Sequence, residues 1–129
     1  RGLPVPRTLH RELVNVAAEQ GADSAVAFYR RAREQHASDG VYDLSETSVS
    51  EAARTLLERN KSAEAIALLE ANVQIFPRSP RTLSQLAGTY DIAGNKDKAI
   101  EYYKAVLAIS PNDQQARRRL TALGAPPPQ

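Results

Sequence analysis

The chain has no cysteine, no methionine and no tryptophan in 129 residues. Without cysteine there is no disulfide framework and no thiolate metal ligand, and cysteine usage assigns no redox compartment. Aromatic residues make up only 5% of the chain, few for a platform that stacks nucleic-acid bases. No apolar run approaches the ~20 residues that a bilayer span needs. No charged, apolar, small-residue signal pattern opens the chain, so the sequence leaves localisation unassigned. The first residue is Arg1 rather than Met, which reads as a fragment or a processed chain. What is abundant is alanine, with 21 residues. Alanine is the best helix former and lets helices approach closely, so an all-α fold is expected. The hydrophobic share of 42% and the charged share of 25% are those of a soluble globular domain,. The length suits a single domain.

Shifting the chain by 34 residues lays its third quarter on its fourth. Val49, Ala53 and Leu56 fall on Leu83, Ala87 and Tyr90. Ala65, Ile66, Leu69, Val73 and Pro77 fall on Ala99, Ile100, Tyr103, Leu107 and Pro111. Asn60 falls on Gly94 at a turn. Each period carries two apolar stripes at helical spacing. Leu83, Leu86, Ala87 and Tyr90 make the first stripe of the later period, and Ala99, Ile100, Tyr103, Val106 and Leu107 the second. Gly94 and Asn95 suit the left-handed backbone between the two helices. Pro111 cannot continue a helix interior and stops the second one.

These residues resemble the tetratricopeptide repeat. The match is best over 80–113, through Leu83, Leu86, Ala87, Tyr90, Ala99, Tyr103 and Pro111. There Val106 stands where the family pattern has a small residue. Over 46–79, Ala53, Leu56, Ala65, Leu69 and Pro77 fit, whereas Ala52 replaces a large residue and Asn72 a small one. The resemblance implies a right-handed solenoid of antiparallel helix pairs with about seven helices. The expected layout is a linker over 1–6, then a repeat domain over 7–123. That domain holds a degenerate pair over 7–36, repeats at 46–79 and 80–113, and a capping helix at 114–123. A Pro-rich tail fills 124–129. In the degenerate pair Leu9, Leu13 and Val16 are expected to line the first helix, and Ala25, Val26 and Tyr29 the second. Glu12 stands there in place of a large apolar residue. The connection 37–45 is long, with Ser45 or Thr47 near the next N-cap. The layout also resembles helical segments at the C-terminal end of some bacterial serine hydrolases of the β-lactamase or esterase type. The junction Tyr42, Asp43, Leu44, Ser45 carries that likeness. It implies a bacterial cytoplasmic or periplasmic setting, with catalysis elsewhere in a longer chain.

No catalytic constellation is present. There is no G-x-S-x-G elbow, no S-x-x-K in a nucleophile context and no phosphate-cradling glycine loop. His10 and His36 have no acidic or histidine neighbour at metal-ligand spacing and read as solvated or capping side chains. Asp97 and Glu101 read as a solvent face shared with Lys98 and Lys104. Neither catalytic residues nor a cofactor or metal are expected. Net charge runs from 0 over 1–45 to −1 over 46–79 and +3 over 80–129. Arg117, Arg118 and Arg119 alone are too few for a nucleic-acid surface.

The family binds protein segments along the first helix of each pair. The resemblance carries that groove to Thr47, Ser50, Glu51, Arg54 and Glu58, and to Arg81, Ser84, Gln85, Gly88 and Ile92. It adds Arg118 and Arg119 on the last helix, and Arg7, His10, Arg11, Val14 and Ala18 on the first. The partner-binding residues singled out are Arg11, Ser50, Glu51, Arg54, Glu58, Arg81, Gln85, Arg118 and Arg119, with Arg54, Arg81 and Arg118 as anchors. Arginine binds carboxylates with two parallel bonds, so an acidic segment or a C-terminus is the expected ligand. A second copy of the chain and a parent catalytic domain are the other expected partners.

Overall fold

The structure, a computed structural model, describes residues 9–128. The 1–6 linker, Arg7 and the final Gln129 lie outside the described residues. Seven α-helices and no extended β-strand occur among the described residues: α1 (Leu9–Gln20), α2 (Ala22–His36), α3 (Glu46–Glu58), α4 (Ser62–Ile75), α5 (Pro80–Ile92), α6 (Lys96–Ile109) and α7 (Gln114–Ala122). The fold is an all-α helical repeat. The chain divides within α4 into two compact units, one up to Ala71 and one from Asn72.

The period seen in the sequence is also the period of the helix ends. Helices α3 and α5 have 13 residues each, and α4 and α6 have 14 each. Ser45, Ser79 and Asp113 are the N-caps of α3, α5 and α7. The Ser79 hydroxyl accepts from the Thr82 N–H at 3.3 Å, and the Asp113 carboxylate from the Ala116 N–H at 2.9 Å. Such a cap contributes about 1 kcal/mol. Ser45 makes no side-chain cap bond. Asp43 orders that start instead: its carboxylate accepts from the Ser45 N–H at 3.0 Å and its carbonyl from the Ser48 hydroxyl at 2.7 Å. The N–H bond to the carboxylate, foremost, holds the Asp43 pKa below its usual value.

The C-termini repeat one closing motif. Asn60, Gly94 and Gly124 have φ of 61°, 84° and 85°. The N–H of the following residue then reaches back five positions: Lys61 to Leu56, Asn95 to Tyr90 and Ala125 to Leu120, at 2.8, 2.9 and 2.8 Å. These are Schellman closures, which satisfy the last carbonyls of each helix.

In the first unit α1 packs on both α2 and α3. Its turn to α2 is the single residue Gly21, with φ 94° and ψ 176°, a region that is essentially glycine-only. Leu9, Leu13, Val14 and Ala17 are buried on α1, and Ala25, Tyr29 and Ala32 on α2. Val14 and Ala17 thus take the place expected for Val16, and Ala32 that expected for Val26. On α1 the cause is its packing against two helices at once, which widens its apolar stripe,. The connection 37–45 is held down by Arg33, which donates to the Leu44 carbonyl at 2.7 Å and to the Tyr29 hydroxyl at 3.3 Å. Tyr42 meets Phe28 and His36 edge to face. In the second unit α6 packs on α5 and α7. Its core holds Leu83, Leu86, Ala87, Tyr90, Ala99, Tyr103, Val106, Ala116 and Leu120. The Tyr90 and Tyr102 rings stack at 5.8 Å.

Candidate partner-binding site

Burial of one face of each first helix decides what its other face offers. On α3, Val49, Ala52, Ala53 and Leu56 are buried. Glu51, Arg54 and Glu58 therefore stand exposed. Ser50 does not: it is 6% exposed, because the buried arc of α3 extends around to it. Its place is in the packing rather than on an open groove face. Val14, carried to the groove from the first helix, is likewise buried, at 4%.

Helices α1 and α3 border an open pocket of about 230 Å³ lined by His10, Arg11, Val14, Asn15, Thr55 and Arg59. Arg11 and Asn15 are one helical turn apart on α1; Thr55 and Arg59 are one turn apart across the end of α3. His10 fixes the seam. Its Nε2 shares a 2.9 Å hydrogen bond with the Thr55 hydroxyl, and its Nδ1 lies 3.8 Å from the Glu51 carboxylate. Arg11 and Arg59 are exposed, and neither guanidinium has a hydrogen bond or ion pair among the described residues. Sequence reasoning found Arg11 and missed Arg59, His10's partners and Asn15. Arg59 closes α3, a place where a cation suits the helix dipole, and that ordinary role concealed it.

The expectation that both histidines lack acidic neighbours is corrected. His36 Nδ1 lies 2.7 Å from the Asp39 carboxylate. That bond, foremost, lowers the Asp39 pKa. No group of three or more metal-ligating side chains occurs among the described residues.

In the second unit Arg81 and Arg118 are exposed, and Gln85 is half-buried. Ile92 is 74% exposed, the one large apolar side chain so placed among the described residues. The three consecutive arginines separate. Arg117 donates to the carbonyls of Pro111 and Pro128 at 2.8 and 3.1 Å, which ties the Pro-rich tail to α7. Arg119 donates twice to the Asp91 carboxylate, at 2.9 and 2.5 Å, and this raises its own pKa further. Its guanidinium, expected to reach a partner, is spent on holding α7 to α5. Arg118 alone has no partner among the described residues. Lys98 and Glu101 pair at 3.7 Å on the surface.

Helix hairpins with common caps and common turns, repeated every 34 residues, define a helical-repeat protein. A family model for the tetratricopeptide repeat matches residues 56–123, more than half of the chain. The chain belongs to the tetratricopeptide repeat family. Repeats of this family generally mediate protein–protein interaction and are typically non-catalytic. A comparison with curated proteins finds no match. No described helix is long and apolar enough to cross a membrane.

Proposed function

We propose that this chain is a protein-interaction module whose partner-binding faces are, in one unit, the exposed faces of α1 and α3 and, separately in the other, those of α5 and α7. The observation that supports this reading is the state of the cationic side chains there. Arg11, Arg54, Arg81 and Arg118 are exposed and have no hydrogen bond or ion pair among the described residues. Cations that stabilise a fold are paired, as Arg33, Arg117 and Arg119 are; unpaired ones on helices with an otherwise committed face are available to a partner. Arginine supplies a planar fork for carboxylates and a stem that packs on apolar groups, which makes it a frequent energetic anchor. An acidic partner segment fits these groups best. Exposed Ile92 adds an apolar contact on α5.

The test is capture of partners from a lysate of the source cells. Arg81→Glu combined with Arg118→Glu is expected to abolish capture and leave the melting temperature unchanged. Capture that survives both charge reversals refutes the assignment of the α5 and α7 faces.

A further inference from the structure

On the reading of the chain as a protein-interaction module, we propose that the pocket between α1 and α3 receives the phosphate of a phosphorylated protein segment. The charge of the pocket carries the assignment. Arg11 and Arg59 both line it, both are exposed, and neither has an anion of this chain for a partner among the described residues. No lining residue is acidic. The nearby Glu51 carboxylate is turned to His10, at 3.8 Å. The lining therefore holds two positive charges and no negative one, with the Glu51 carboxylate at its border beside His10.

A carboxylate brings one negative charge and two oxygens, and a single guanidinium fork satisfies it. A phosphomonoester brings a charge of about −1.5 to −2 and three strong acceptor oxygens. Two forks approaching from α1 and from the end of α3 match that stoichiometry. The Asn15 amide adds N–H donors one turn from Arg11. Buried Val14 supplies an apolar wall for the stem that carries the phosphate. The bond between His10 and Thr55 ties the two helices at the pocket, so the backbones that carry the donors are held together before a ligand arrives,.

The test uses the full chain, labelled with nitrogen-15, and follows its amide resonances. The probes are a blocked pentapeptide of four alanines around phosphoserine, the same peptide with glutamate or with serine at its centre, and inorganic phosphate. The phosphoserine peptide is expected to shift the amides of His10, Arg11, Asn15, Thr55 and Arg59 saturably. It should bind about ten-fold or more tightly than the glutamate peptide, with no saturable shift from the serine peptide. Arg11→Gln combined with Arg59→Gln should abolish the response at an unchanged melting temperature. Equal affinity for the glutamate peptide overturns the proposal in favour of a carboxylate pocket. Equal affinity for inorganic phosphate reduces the site to an adventitious anion. Absent shifts, or shifts that persist in the double variant, also overturn it. Partner capture through Arg81 and Arg118 is read on other helices, so this pocket can fail while the interaction reading stands.

Discussion

Replacing Gly94 by alanine isolates the energy of the turn that defines the repeat. Gly94 has φ 84°, and a methyl group built there meets nothing within 4 Å. The substitution therefore introduces no clash, and its whole effect lies in the backbone. Placing an L-residue in the left-handed region costs about 1–2 kcal/mol. Alanine also restricts the unfolded chain, which returns about 0.4–1 kcal/mol. The net loss is about 1 kcal/mol, or about 3–5 °C in melting temperature for a chain of this length. The two bonds at stake run from the Gly94 N–H to the Asp91 carbonyl at 3.1 Å and from the Asn95 N–H to the Tyr90 carbonyl at 2.9 Å. Urea denaturation followed by circular dichroism measures the loss. Asn60 supplies an internal control, since it already holds φ 61° at the equivalent place. Gly94→Asn should thus fall between wild type and Gly94→Ala, and Asn60→Gly should raise the midpoint. A Gly94→Ala variant as stable as wild type, or an asparagine variant less stable than the alanine one, refutes the argument.

Two further perturbations probe the core. Ala99 is fully buried between packed helices, so Ala99→Leu should overpack the repeat and destabilise it by about 1–3 kcal/mol in the same urea assay; a neutral result contradicts the packing of α5 on α6. Burial, partly opposed by Arg33, raises the Tyr29 pKa above its ordinary value of 10.0. The ionised phenolate is the form the fold disfavours, so this group's stability is complete below pH 10 and is lost as pH rises through the raised folded value. Urea midpoints should therefore fall between pH 9 and pH 11, and fall less in Tyr29→Phe; an equal fall in both proteins rules out Tyr29 as the cause.

The local features were legible because they rest on interactions within a few residues of chain. Asn60 and Gly94 read as turns since left-handed backbone tolerates few residue types. Ser45 and Thr47 were both admissible caps for α3, and the Asp43 bonds to Ser45 and Ser48 favour Ser45. Periodicity located the stripes of the two later pairs. It was less reliable in the first pair, where the single-residue turn at Gly21 and the contact of α1 with two helices displace the buried arc toward Val14 and Ala17.

The candidate site was legible only in part. Arg11, Arg54, Arg81 and Arg118 are exposed, as a polar position on an amphipathic helix leads one to expect. Ser50 and Arg119 carry the same kind of polarity and are engaged by the chain itself, one by burial and the other, at the surface, by Asp91, 28 residues earlier. By itself, then, the amino-acid sequence determined the apolar stripes and the turns at Asn60 and Gly94, which depend on spacing and backbone freedom within one or two helical turns, and the 34-residue period that carries the repeat family. Only the tertiary structure decided which cations stay unpaired and that His10, Arg11, Asn15, Thr55 and Arg59 share one pocket. The first three lie at least 40 residues from the last two along the chain, and it is the packing of α1 on α3 that brings the two groups within reach of a common ligand.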